Sequence, residues 1–145
     1  MKVRRIEVHG WRAAALGAMV VVAVAACGGG SSGAPKSLSL AGEQVPLSQV
    51  TGAYSQMCTI SLEAQSNAGA TAAPFANAET GLSVLATVLA KDHGQESQRL
   101  LAALSTYQAD IIANPPPSTS GQAAANLLAT AKQGLQALKI SPPNC

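Results

Sequence analysis

Hydrophobic or small residues recur every three or four positions in four successive segments after Pro46. Residues at this spacing share one face of a helix, so each segment is predicted to be an amphipathic α-helix. The four stripes are Val50, Tyr54, Met57, Ser61 and Ala64; Phe75, Ala78, Leu82, Leu85 and Leu89; Leu100, Leu104, Tyr107 and Ile111; and Ala124, Leu128, Ala131, Leu135 and Leu138. Leu101 and Ile112 are expected to widen the third stripe, and Leu127 the fourth.

Helix-breaking residues separate these segments. Asn67–Gly69 is expected to end the first helix, and Gly94 to end the second by taking a positive φ. Pro115–Pro117 ends the third because proline lacks the N–H donor and clashes with the preceding turn. Thr119 and Gln122 have the spacing of a capping box at the start of the fourth. Four helices with short connections predict an all-α domain, an antiparallel four-helix bundle.

The segment before the first helix has two possible structures. Leu38 and Leu40 alternate with polar residues, Gly42 can turn the chain, and Val45 and Leu47 alternate again. This pattern is typical of a short β-hairpin. Because two strands alone are marginally stable in water, an extended strap lying on the helices is an equal alternative.

The N-terminus has the layout of a secretory signal. Lys2, Arg4, Arg5 and Arg12 form a basic start, and Ala13–Ala26 then carries no charge. A transmembrane helix needs about 20 apolar residues, and this run is shorter. Export to an extracytoplasmic compartment is therefore predicted.

The end of this leader, Val24–Cys27, resembles the lipobox of bacterial lipoproteins. The resemblance implies removal of residues 1–26 and acylation of Cys27, which would hold the protein on the outer face of the cytoplasmic membrane. Residues 27–37 then form a lipidated cysteine and a Gly/Ser-rich flexible tether, because such composition leaves the backbone free. Residues 38–145 form the helical domain.

With Cys27 acylated, Cys58 and Cys145 remain as a pair. A cysteine pair in an oxidising compartment usually forms a disulfide. Cys58 lies well inside the first helix, so the tail from Ile140 must run back along the bundle to reach it. Pro142 and Pro143 favour the extended conformation that this path needs.

Charge argues against a nucleic-acid partner. The whole chain has a net charge of +2, but residues 27–145 carry five lysines and arginines against six acids. Nucleic-acid binding needs a basic patch, preferably with stacking aromatic residues. Neither is present in the mature sequence.

The sequence contains no constellation typical of catalysis. His93 is the one histidine after the leader, and a lone turn histidine is more often solvated than catalytic. His93 and Glu96 have the spacing of a metal-ligand pair, but Gly94 is expected to break the helix between them. No P-loop or dinucleotide-binding motif is found, so no metal site, cofactor or catalytic residue is assigned. We expect a non-enzymatic binding or interaction module that recognises an envelope protein or ligand.

A second hypothesis is a carrier. Tyr54, Met57 and Tyr107 lie on the apolar stripes and are candidates for lining a pocket for an apolar or haem-like ligand. In layout alone the chain is similar to small helical haem-binding proteins of actinobacteria with one disulfide, although no motif of theirs is matched. Aromatic residues and methionine at helical spacing are more often part of a core.

Overall fold

The computed structural model describes residues 36–40 and 42–145. This part of the chain is mainly helical, as predicted, and begins with a short β-hairpin. Its elements are β1 (Ser37–Leu40), β2 (Glu43–Pro46), α1 (Leu47–Asn67), a 3₁₀ helix (Ala68–Thr71), α2 (Ala72–Asp92), α3 (Gly94–Ile112) and α4 (Ser120–Ala137). The predicted leader 1–26, the lipidation site Cys27 and the tether up to residue 35 lie outside the described residues.

Residues 37–46 form the hairpin and not the extended strap. The strands pair antiparallel, with Leu38 opposite Val45, and both side chains are buried. Gly42 has a φ of +90°, a conformation that glycine adopts without the steric cost of a Cβ. At the open end of the hairpin, the Leu47 N–H donates to the Lys36 carbonyl at 3.1 Å. The chain therefore enters the domain beside the start of α1.

The helix ends fall into two groups, which we call the entry end and the distal end. At the entry end, near Lys36, the Ser97 hydroxyl of α3 donates to the Ala86 carbonyl of α2 at 2.7 Å. At the distal end, the 3₁₀ helix meets the end of α3, where the Thr71 and Tyr107 hydroxyls lie 2.6 Å apart. Thus α1 and α3 end at the distal end, and α2 and α4 begin there.

The core lies between the helices. α1 contacts α2 and α4, and α3 contacts the same two helices. The predicted stripes supply most of the buried side chains, with Leu128 and Leu138 only partly buried. Leu101 and Ile112 were expected to widen the third stripe, but they are 44% and 75% exposed. Because α3 has a helix neighbour on only two sides, its outer flank stays in water.

Glycines allow three close helix contacts. A Cβ on Gly81 of α2 would lie 2.5 Å from the Ala53 Cβ of α1, and one on Gly121 of α4 would lie 3.1 Å from the Gln65 Cα of α1. Gly134 packs in the same way against side chains of α2. The absence of a Cβ at Gly81 and Gly121 lets α2 and α4 lie close to the backbone of α1, and its absence at Gly134 makes room for leucine side chains of α2.

The α2–α3 connection differs from its prediction. Gly94 does not take a positive φ and is the first residue of α3. The break is His93 alone, at φ −134° and ψ 52°. Its N–H donates to the Leu89 carbonyl at 2.7 Å and its carbonyl accepts from the Ser97 N–H at 3.0 Å, so one residue closes α2 and opens α3.

The predicted capping box at α4 is also absent. Thr119 makes no side-chain capping hydrogen bond. Its backbone, at φ −81° and ψ −8°, is already helical, whereas a capping residue usually has extended geometry. Ser120 is tied to the preceding loop instead, because its hydroxyl donates to the Pro117 carbonyl at 2.7 Å.

The C-terminal tail reaches α1 through the predicted disulfide between Cys58 and Cys145, whose Cα atoms are 5.4 Å apart. The tail leaves α4 through Lys139, which has a φ of +58°. The Lys139 N–H donates to the Gln136 carbonyl and the Ile140 N–H to the Leu135 carbonyl, both at 2.9 Å. This is a Schellman motif, which turns the chain back toward the helix it has left.

Candidate functional site

Two adjoining cavities open at the distal end, with volumes of about 290 and 430 Å³. They share Gln65 and Ser118. The first is lined by Ala64, Gln65, Ser66, Asn67, Ala68, Gly69, Pro116, Pro117 and Ser118, and the second by Gln65, Ser118, Gly121, Gln122 and Ala125. We call their combined lining the distal surface.

Two contacts between chain segments shape the distal surface. The end of α1 and the start of α4 meet at Gly121, where a Cβ would lie only 3.3 Å from the Ala64 carbonyl oxygen. The loop at residues 113–119, which we call the proline loop, then passes the 3₁₀ helix, where a Cβ on Gly69 would be in ordinary van der Waals contact with the Pro116 Cγ at 3.7 Å. The close backbone contact at Gly121 favours a preformed shape for this surface over one that assembles on binding.

The distal surface carries no charged side chain. Its polar groups are the amides of Gln65, Asn67 and Gln122 and the hydroxyls of Ser66 and Ser118. Amides and hydroxyls both donate and accept hydrogen bonds, so they suit a partner with uncharged polar groups. No neighbouring base, acid or cation is present in the lining to activate the serines as nucleophiles.

A buried hydrogen-bond network lies beneath the distal surface. The Thr71 hydroxyl donates to the carbonyl of Ala68, a lining residue, at 2.6 Å. Because the Thr71 hydroxyl has a single proton and donates it to Ala68, the Tyr107 hydroxyl must donate to the Thr71 oxygen. The Tyr107 ring meets Phe75 edge-on, with centroids 4.9 Å apart. These contacts fix the 3₁₀ helix on the core.

Tyr107 is unsuited to act as a base near neutral pH. Burial raises the pKa of its hydroxyl above 10.0, the hydrogen bond with Thr71 lowers it, and the carboxylates of Glu63 and Asp110 raise it further. The net direction is upward, so the phenol stays protonated and keeps its role as a donor within the core.

Two further cavities lie elsewhere. One of about 210 Å³ runs between α1 and α2 and is lined by Gln56, Thr59, Ile60, Glu63, Pro74 and Asn77. The other, of about 280 Å³, lies at the entry end beside the Schellman motif and is lined by Gln136, Lys139, Ile140, Ser141 and Pro142.

The three candidate ligand residues lie in the core. Tyr54, Met57 and Tyr107 are almost fully buried, and the four cavities described above are lined by other residues. The Tyr54 hydroxyl lies 3.6 Å from the Cys145 sulfur. Because a disulfide sulfur has no proton, the tyrosine is the donor. The structure places Tyr54 beside the disulfide and Tyr107 beside the 3₁₀ helix, at different positions along the helix axes.

His93 lies apart from these features, half-buried at the entry end between α2 and α3. Among the described residues, no cluster of histidine, cysteine, aspartate or glutamate could hold a metal ion. None of the described helices is both long and apolar enough to cross a bilayer.

No protein-family model, curated protein or solved structure matches this chain. The function must therefore be inferred from the chemistry of the distal surface and from the position at which the chain enters the domain.

Proposed function

We propose that this protein is a lipid-anchored extracytoplasmic binding module of the cell envelope. In this proposal the domain is an antiparallel four-helix bundle without catalytic activity, and the distal surface contacts an envelope protein or ligand. The observation that carries the proposal is the separation of the two ends. The chain enters beside Lys36, and the distal surface lies at the other end of α1.

The dimensions fit this arrangement. The 21 residues of α1 place the two ends about 30 Å apart at 1.5 Å per residue. The Gly/Ser-rich segment between Cys27 and the hairpin would give an r.m.s. reach of about 15–18 Å if it behaves as a flexible coil. An acylated Cys27 would then keep the domain close to the membrane while its distal surface remains accessible to partners, at high effective concentration.

Replacing Cys27 with serine tests the anchor. We expect the wild-type protein in the membrane fraction, with the mass of residues 27–145 plus acyl chains. In Cys27→Ser the acylated mature form should be lost, leaving either unacylated soluble protein or a chain that retains residues 1–26. Intact-mass measurement after cell fractionation distinguishes these products. Gly29→Ser is the matched control and should be acylated normally; an unchanged mass and location for Cys27→Ser would disprove the anchor.

Site-specific crosslinking tests the distal surface. A photoreactive residue in place of Gln122 should form a discrete adduct in native membranes, because Gln122 lines the second cavity. The matched control is Gln133, which is exposed on α4 nearer the entry end. Adding Gln65→Arg should abolish the Gln122 adduct, because it introduces a positive charge into a lining that otherwise carries none. Identical adducts from both positions, or an adduct that survives Gln65→Arg, would contradict the proposal.

A further inference from the structure

The lysines and arginines of the described residues all lie in the half of the domain nearest the entry end. Lys91 is in the last turn of α2, and Arg99 is five residues after the start of α3. Lys132 is five residues before the end of α4, and Lys139 follows that helix. Lys36 lies beside the start of α1. All five side chains are exposed.

The acids are distributed differently. Glu63, Glu79 and Asp110 lie in the distal halves of α1, α2 and α3, where the described chain has no lysine or arginine. Asp92 and Glu96 lie at the entry end, where the five cations outnumber them. Glu43 is on the hairpin, and the C-terminal carboxylate of Cys145 lies near the middle of α1, at Cys58. The entry half is therefore net positive and the distal half net negative.

Helix dipoles do not cancel this asymmetry. Two helices start and two end at each end of the domain, so the partial charges of their termini largely offset one another. Arg99 and Lys132 are each about 8 Å from their helix ends at 1.5 Å per residue. That distance is close to the Debye length of about 8 Å at physiological ionic strength, so both side chains can respond to a charged surface at the entry end.

We infer that the entry end docks on the anionic lipid headgroups of the membrane that holds the anchor, with the distal surface directed away from the bilayer. This inference rests on the proposed lipid anchor and adds an orientation to it. The anchor brings the entry end close to the bilayer, and anionic headgroups attract its exposed cations. In the opposite orientation the same headgroups would repel Glu63, Glu79 and Asp110, which disfavours that orientation.

Single tryptophan reporters can measure this orientation, because the one tryptophan of the chain is Trp11, in the predicted leader. Gln136→Trp and Gln122→Trp place a reporter at the entry and distal ends of α4, at exposed positions. The mature protein is isolated from its host membrane and reconstituted in vesicles of phosphatidylcholine, with or without phosphatidylglycerol, that contain a dansyl-labelled lipid. Energy transfer from tryptophan to the dansyl group reports distance from the bilayer.

With phosphatidylglycerol at low salt, transfer should be stronger from Gln136→Trp than from Gln122→Trp. The difference should shrink by about twofold or more in phosphatidylcholine vesicles, or in about 1 M NaCl, where the Debye length is about 3 Å. Equal transfer from the two reporters, or a difference that ignores both lipid charge and salt, would overturn the inference.

A pair of charge variants, each carrying the Gln136→Trp reporter, separates charge placement from net charge. Lys132→Gln with Lys139→Gln removes two of the five positive charges at the entry end and should clearly weaken the salt dependence of energy transfer from Gln136→Trp. Ser66→Glu with Gln122→Glu changes the net charge by the same amount at the distal end. This variant should retain the salt dependence of energy transfer from Gln136→Trp. Equal behaviour of the two variants would show that placement does not matter and would refute the inference.

Failure of the anchor is recognised separately. If intact mass shows no acyl chains on Cys27, the proposed anchor is wrong, but the orientation can still be measured. The free Cys27 thiol is then coupled to a maleimide-bearing phospholipid, and the same comparison of reporters supports or overturns docking of the entry end.

Discussion

Removing the disulfide with Cys58→Ala and Cys145→Ser is expected to lower the free energy of unfolding by up to about 4–5 kcal/mol. The bond joins residues 87 positions apart, so it closes a loop that contains most of the domain. In the chain-entropy model, this crosslink destabilises the unfolded state by restricting it. The variant also frees the tail from α1, which exposes the Tyr54 hydroxyl to water. Urea denaturation measures the loss.

The slope of the denaturation curve provides a second readout. An unfolded chain without the crosslink is more expanded, so the dependence of the unfolding free energy on urea should become steeper. Asn144→Ser, at the exposed neighbour of Cys145, is the matched control and should leave both quantities unchanged. Identical midpoints for the wild type and the double variant would contradict this account, as would free Cys58 and Cys145 thiols in wild-type protein isolated from its native host without a reductant.

Gly81→Ala is expected to destabilise the domain by about 1–3 kcal/mol, the usual cost of overpacking. The new methyl group would lie 2.5 Å from the Ala53 Cβ and 2.8 Å from the Gln49 carbonyl oxygen. Both groups belong to the rigid backbone of α1 or are attached directly to it, so no side chain can rotate away. α1 and α2 must separate, which loosens the core along their whole contact. Thermal and urea denaturation report the change.

Gly52→Ala is the matched control on α1. Gly52 is exposed within the helix, and a Cβ there meets nothing within 4 Å. Alanine should stabilise the protein by about 0.5–1 kcal/mol, because it favours the helix and restricts the unfolded chain. The two substitutions are chemically identical, but they should change the free energy of unfolding in opposite directions. If both were stabilising, the close approach of α2 to α1 at Gly81 would be wrong.

The helices themselves were predictable because their evidence is local. The stripe from Val50 to Ala64 and the Asn67–Gly69 stop both lie within a few residues of the features they specify, and α1 ends at Asn67 as expected. The disulfide was also predictable, because the predicted acylation of Cys27 leaves Cys58 and Cys145 as a single pair. These predictions needed no knowledge of tertiary contacts.

The connections were less predictable because tertiary contacts override local signals there. Gly94 resembles a helix stop, but Ser97 bonds to both His93 and Ala86, and these bonds start α3 at once. The 3₁₀ helix depends on Thr71, whose partner Tyr107 is 36 residues away. No window of a few residues contains that information.

The distal surface was not predicted for the same reason. It joins the end of α1 to the loop after α3 and the start of α4, about 50 residues apart in sequence. The one local signal was composition: Gln65–Gly69 and Pro115–Gly121 are both free of charge. Their proximity depends on the close contact at Gly121, which only the packed structure shows.

The position of the disulfide also governs what a protease can release. All three connections between helices, at residues 68–71, 93 and 113–119, lie between Cys58 and Cys145. A single cut in any of them divides the backbone, but the fragment that carries the C-terminus stays bonded to Cys58. Cys58 is itself continuous with the N-terminal segment. A domain nicked once at its exposed proline loop would therefore stay in one covalent piece, with its C-terminal fragment still joined to the part that carries the N-terminus.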